Sequence, residues 1–428
     1  MFVSTRERGR PRLALKLLVV ACGVAAGLLI FEGFLRAVGY TYPVFYEPDE
    51  ARGWALRPGV EGWYRREGEA YVRVNSDGLR DREHAKRKRP GVVRVALLGD
   101  SYAEALQVAR EAAFWSVAES RLRSACGGAA WREVEFVNFG VSGYGSAQQL
   151  FTLRDKVWAY EPDVVLLTVT TNNDLIDNTR SLKGTDEIPY FVFRGDELVL
   201  DDSYRSDPGF RWRQSAPSRA GRWLREQLRF VQAIHQAHAA LKTTLAARRE
   251  RAAAAQAAKA ATPAPTAAAQ PPPNAPPPEA TPASALGVAN MIYDEPTDAV
   301  WRDAWRVTEA LVAKIHGEVR GRGARFLVVT LSNPIQVHPD ASARTAFARR
   351  LGVRDLFYPE RRFQALGARE GFPVLHLAPD LQLYADQQRV YLHGFGRDLG
   401  NGHWNEDGHR LAGELLAQKL CEAVPPPP

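Results

Sequence analysis

Three short, continuous apolar runs stand in the middle of this 428-residue chain, each ending in small, hydroxyl or amide residues. They are VRVALLGD (93–100), VEFVNFG (134–140) and DVVLLTVT (163–170), separated by stretches of helical periodicity near 103–123 and 146–159. Strands that are apolar without alternation are buried on both faces, and strands joined through helices run parallel. The pattern resumes towards the carboxyl end. A helix is expected near 298–320, then strand RFLVVTLS (325–332), a helix near 357–369, strand PVLHLA (373–378) and a last helix near 406–422. The fold class is therefore α/β, a parallel sheet covered by helices on both faces. With 45% hydrophobic and 25% charged residues, the composition supports a sizeable core.

The amino end has a different character. Residues 17–31 (LLVVACGVAAGLLIF) carry no charge, and the stretch 13–35 is long enough to cross a bilayer, which takes about 20 residues. The Arg-rich segment before it predicts a cytoplasmic tail and an extracytoplasmic body. A buried core helix and a cleaved signal peptide are the alternatives. Val19-Val20-Ala21-Cys22 has some likeness to a lipoprotein processing site, but the apolar run continues for nine residues past Cys22. The organisation expected is a basic tail at 1–12, an anchor at 13–35, a collar of short strands at 41–90, and the sheet domain at 91–428. That domain is interrupted by an insertion at 183–297. The insertion holds a hairpin (189–202), a basic helical stretch (219–250) and a segment, 252–285, built almost wholly of Ala, Pro, Thr and Gln. Such a composition cannot bury apolar surface and predicts a disordered linker.

Charge and cysteine count exclude some functions. The net charge is +7, but residues 1–40 contribute six basic and two acidic groups, or +4, leaving 50 against 47, or +3, for the rest. A nucleic-acid-binding body needs a larger basic excess. Three cysteines (Cys22, Cys126, Cys421) exclude a multi-cysteine zinc module. No His, Asp or Glu cluster has metal-ligand spacing, so neither metal nor cofactor is expected. The oligomeric state is not legible.

Four blocks carry candidate chemistry. Leu98-Gly99-Asp100-Ser101 ends the first strand, Asn138-Phe139-Gly140-Val141-Ser142-Gly143 follows the second, and Asn172-Asn173-Asp174 follows the third. Gly402-His403-Trp404-Asn405 precedes the last helix. In an open parallel sheet ligand sites form at the carboxyl ends of the strands, where all four blocks fall. A serine hydroxyl is a weak nucleophile until a base takes its proton, and His403 is the candidate base for Ser101. The N–H groups of Ser101 and Gly143 and the side-chain amide of Asn173 are candidate donors to a developing oxyanion.

The order and setting of these blocks resemble the SGNH, or GDSL, hydrolase family. The resemblance covers about 94–180 and 298–422. It implies a flavodoxin-like three-layer α/β/α fold, Ser101 as nucleophile, His403 as base, and Ser101, Gly143 and Asn173 as the oxyanion hole. Two positions depart from the family pattern. Its third block begins with glycine, where this chain has Thr171. Its aspartate three residues before the histidine is replaced by Gly400. The acid that orients the imidazole is then Asp398, five residues before His403, or a backbone carbonyl takes its place, or catalysis is weak or lost. His393 is a rival base. His409 and His376 read as structural, and Asp100 as a residue that orders the turn.

The function expected is a membrane-anchored, extracytoplasmic serine esterase or O-acetyltransferase. The anchor favours ester groups of envelope glycans or lipids as substrate, and His403-Trp404-Asn405 is similar to the final block of polysaccharide O-acetyltransferase relatives. The alternative is a non-catalytic glycan-binding or envelope-assembly protein that keeps the fold. In a flavodoxin-like sheet the first and last helices lie side by side. Cys126 and Cys421 near their ends are a candidate disulfide outside the cytoplasm.

Overall fold

The computed structural model describes residues 10–125, 131, 133–260 and 290–423. In chain order the elements begin with α1 (Arg10–Ala37), β1 (Tyr46–Asp49), β2 (Gly53–Leu56), β3 (Glu61–Tyr64), β4 (Ala70–Arg73), β5 (Val93–Leu98) and α2 (Ser101–Glu104). There follow α3 (Phe114–Ala125), β6 (Val134–Asn138), α4 (Ser146–Asp155), β7 (Val164–Thr170), α5 (Thr171–Asp177) and α6 (Arg180–Lys183). The insertion holds β8 (Tyr190–Arg194), β9 (Glu197–Asp201), α7 (Pro208–Gln214), α8 (Ala216–Gln227) and α9 (Arg229–Ala260). The chain then forms α10 (Ala299–Gly321), β10 (Arg325–Leu331), α11 (Ala341–Leu351), α12 (Tyr358–Glu370), β11 (Val374–His376), α13 (Ala378–Gln388) and α14 (Glu406–Ala423).

The chain divides into two units: Met1–Val44 with Ala216–Pro276, and Phe45–Ser215 with Pro277–Pro428. The second contains a five-stranded parallel sheet of order β11-β10-β7-β5-β6. Numbered along the chain this is 2-1-3-4-5, the flavodoxin-like doubly wound order. Strands β5 and β7 are buried at every position, as their unbroken apolar runs require. Alternate residues serve opposite faces. Val95, Leu97, Leu166 and Val329 pack with Phe114, Trp115, Leu122 and Leu416 from α3 and α14. Ala96, Leu98, Leu167 and Val328 pack with Leu150, Trp305, Leu311 and Phe363 from α4, α10 and α12. The three-layer α/β/α expectation holds.

Two details differ from the sequence reading. The helix expected at 103–123 is broken. Ala105, with φ +55°, closes α2 after one turn, and α3 starts only at Phe114. The Ala-rich end of α9 runs through 252–260, inside the segment expected to be a linker, because Ala, Gln, Lys and Arg are strong helix formers. The remainder, 261–285, lies outside the described residues. The collar forms two hairpins, β1–β2 and β3–β4, which fall within the sheet unit and share a small core of Phe45, Leu56, Val60, Val72, Leu106 and Tyr144.

In the first unit, Leu13–Ala37 of α1 spans 25 residues, with an 18-residue window of mean hydropathy 2.5, and is long and apolar enough to cross a membrane. Cys22 within it is free. Cys421 is disulfide-bonded, while Cys126 lies outside the described residues.

Candidate active site

Strand β5 ends at Gly99, and Asp100 turns the chain into α2. The Asp100 carboxylate accepts from Tyr102 N (3.0 Å), Thr170 Oγ1 (3.1 Å) and Asn173 Nδ2 (2.8 Å). It thus ties the turn that carries Ser101 to the end of β7 and to the Asn173 side chain. An amide nitrogen carries two donors, so Asp100 takes one and leaves the other. Ser101 opens α2, where its own N–H has no intrahelical acceptor. Gly143 follows β6 with φ +75°, against the ring of Trp54. Its loop is fixed from behind. Val141 N donates to Gly99 O (3.2 Å), and both Ser142 N (3.2 Å) and Ser142 Oγ donate to Glu104. Trp54 Nε1 donates to Ser142 O (3.0 Å), and Lys183 Nζ to Gly143 O (3.4 Å).

His403 Nε2 lies 2.7 Å from Ser101 Oγ. The other ring nitrogen, Nδ1, lies 2.6 Å from Glu67 Oε2, and the backbone N–H of His403 donates to Glu67 Oε1 at 2.6 Å. Asp398 is not the ring's partner. It is exposed in a turn where Asp398 N donates to Phe395 O and Asn401 N to Asp398 O. The acceptor comes instead from the β3–β4 hairpin, 336 positions away in sequence.

The local backbone explains the exchange. Gly400 has φ +85° and sits against the Tyr391 ring, so an aspartate there would carry a strained backbone. Gly402, with φ +74°, leaves the space Glu67 needs, since a Cβ there would lie 2.0 Å from Glu67 Oε1. Burial alone would raise the Glu67 carboxyl. The hydrogen bonds from the ring and backbone of His403, with the ring's charge, hold it below the ordinary range.

His393, the rival base, is fully buried with both ring nitrogens engaged. Trp404 Nε1 donates to Ser332 Oγ (2.8 Å), whose hydroxyl donates to His393 Nε2 (3.0 Å), and His393 Nδ1 donates to Gly402 O (2.9 Å). Burial pushes this imidazole down to about 3, so it stays neutral and fixes the loop that presents His403. Tyr102 packs its ring 4.9 Å from that of His403 and donates its hydroxyl to Gly402 O (3.1 Å). Asn405 accepts from Gly408 N (3.0 Å) and so caps α14. His409 is buried and accepts from Phe114 N (3.3 Å), and His376 on β11 lies 2.8 Å from Thr330 Oγ1.

The blocks at the carboxyl edge and the strand order decide the fold. This is a flavodoxin-like three-layer α/β/α fold. Among solved structures, this chain is similar to an acetyl xylan esterase (12% identity, TM-score 0.36, 78% of this chain and 100% of that one). It is also similar to a lipase/acylhydrolase from Enterococcus faecalis (11%, 0.36, 78% and 99%). A third is a catalytic mutant of an acetylxylan esterase from Geobacillus stearothermophilus (10%, 0.36, 77% and 94%). No protein-family model matches the chain, and no curated protein matches it in sequence.

Glu104 gives a test of the wall behind Ser142. Burial first, offset in part by donors from Ser142 and Tyr46 and by the charge of Arg80, raises its carboxyl from 4.5 to about 7. A raised acid favours the protonated form in the fold. That contribution is complete below pH 4.5 and is lost as pH rises through 7. The expected loss is on the order of 3 kcal/mol. Thermal unfolding should show the wild-type Tm falling between pH 5 and 8, with a flatter profile in Glu104→Gln. Parallel profiles would contradict the assignment.

Proposed function

We propose that this chain is a membrane-anchored serine esterase whose nucleophile, base and acid are Ser101, His403 and Glu67. One observation carries the reading: a single imidazole has a serine hydroxyl 2.7 Å from Nε2 and a carboxylate 2.6 Å from Nδ1. In the first step Ser101 Oγ attacks the ester carbonyl while His403 Nε2 takes its proton. Glu67 holds the ring in the tautomer that leaves Nε2 free and stabilises the imidazolium that forms. The N–H groups of Ser101 and Gly143 and the amide of Asn173 receive the oxyanion. Collapse expels the alcohol, which takes the proton back from His403. Water, activated by the same imidazole, then releases the acid from the acyl-enzyme. An acceptor hydroxyl in place of that water gives acyl transfer by the same route.

The case for a non-catalytic binding protein rested on Gly400, and it weakens once Glu67 occupies Nδ1. The apolar α1 supports a single-pass anchor in the cytoplasmic membrane with the body outside. The disulfide at Cys421 suits an oxidising compartment. These two features favour ester-bearing glycans or lipids of the cell envelope as substrate. In the test, the full chain in detergent meets p-nitrophenyl acetate and a fluorophosphonate probe. Hydrolysis is expected, with one adduct mapped by mass spectrometry to Ser101. A folded protein that takes no adduct there removes the proposal.

A further inference from the structure

Helix α8 reads as APSRAGRWLREQ. At 100° per residue Ala216, Pro217, Ala220, Trp223 and Leu224 share an arc of about 120° that also holds Gln227, Arg222 and Arg225 lie opposite, and Arg219 flanks the arc beside Trp223. In a soluble protein the apolar arc faces the core. Here all five of its apolar residues are exposed, Trp223 at 60% and Leu224 at 45%. The arginines are on the less exposed side, apart from Arg219. Burial and the like charge of Arg222 depress the Arg225 guanidinium, and Arg225 Nε has no partner among the described residues.

The position of α8 says what covers this face. The junction of α8 and α9 is bonded to the carboxyl end of the apolar span, within the same unit. Arg36 Nη2 donates to Gln227 O (2.5 Å), and Phe230 N donates to Glu32 Oε2 (3.0 Å). Arg229 Nη1 donates to Thr41 Oγ1 (2.6 Å), and Tyr42 N to Gln232 Oε1 (2.8 Å). Arg36 and Glu32 themselves pair at 2.7 Å. The carboxyl end of α8 therefore meets the carboxyl end of α1, and with α1 spanning the bilayer the polar clasp falls at headgroup depth. A helix with Trp and Leu on one face and arginines on the other fits that boundary.

We propose that α8 is an in-plane membrane helix: its Ala220–Trp223–Leu224 face enters the acyl boundary, and Arg219, Arg222 and Arg225 bind anionic lipid headgroups. The inference rests on the reading of α1 as a retained anchor, and the experiment separates the two. The full chain with Cys22→Ser is spin-labelled at Ala220→Cys or, separately, at Val24→Cys, and reconstituted in vesicles. One set is phosphatidylcholine with about 30% phosphatidylglycerol, the other phosphatidylcholine alone. At position 220 collisions with oxygen should exceed those with a water-soluble nickel chelate by about threefold or more in the anionic vesicles, and by clearly less in the neutral ones. A water-exposed label at 220 with a lipid-immersed label at 24 overturns the α8 proposal and leaves the anchor standing. Water exposure at both positions removes the anchor and the proposal together. Equal immersion at 220 in both vesicle types overturns the role of the arginines. Circular dichroism of each labelled protein confirms its fold.

Discussion

Glu67→Gln should lower kcat for ester hydrolysis by about 10³–10⁴-fold, with little change in KM, while Asp398→Ala stays within about twofold of wild type. The glutamine keeps the volume and one acceptor oxygen but loses the charge that stabilises the imidazolium. Its amide also competes to donate to Nδ1, which favours the tautomer with Nε2 protonated and unable to take the serine proton. Asp398 touches neither ring nitrogen, so its loss changes an exposed turn only. Steady-state kinetics on the two variants decide the assignment. A large loss at Asp398 with none at Glu67 reverses it. A restoring substitution sharpens the contrast: Gly400→Asp, made in the Glu67→Gln background, should regain no activity. It should lower stability by about 1–2 kcal/mol, since position 400 has φ +85°.

A still larger effect is expected at the reacting atoms. Ser101→Ala and His403→Ala should each lower kcat by about 10⁵–10⁶-fold, and the double variant should lose little more than either alone. Two groups that act as one unit do not contribute additively: without the base the hydroxyl is a poor nucleophile, and without the hydroxyl the base has nothing to activate. Residual hydrolysis in all three variants reports the donors that remain, the backbone N–H groups of residues 101 and 143 and the Asn173 amide. Single variants that lose only about tenfold each, and whose losses multiply in the double variant, would mean that the two side chains do not work as a pair.

The sheet was readable because its strands are unbroken apolar runs and because each is followed by helical periodicity. Ser101 and His403 were readable for a related reason: each sits at a junction whose local sequence is distinctive. The orienting acid was not. Its hairpin tip, Arg65-Arg66-Glu67-Gly68-Glu69, reads as an ordinary polar turn. What selects Glu67 over Glu69 is tertiary: a Cβ on Gly68 would lie 2.5 Å from Gln107 O, and the bare Gly402 receives the carboxylate. Asp398 was attractive for its nearness along the chain alone. One local signal was available, since two glycines flanking an asparagine just before His403 mark a loop that makes room for something. Helices α11 and α13 also escaped the sequence reading. Both are short, follow the last two strands of the sheet, and are capped or opened by residues (Asp340, Pro379) that loops share.

The carboxylate that aligns the imidazole reaches it on an arm joined to the sheet through residues 74–92, rather than on the loop that bears the imidazole. Whatever loosens that arm would therefore lower the proposed activity with the Ser101 turn intact, whereas trimming the chain to begin at residue 91 would also strip Phe45, Leu56 and Val72 from the core they share with Leu106 and Tyr144. On the proposed reading the β3–β4 hairpin belongs to the reaction centre, and a strap of this kind is a natural place for a ligand or a neighbouring molecule to throttle turnover.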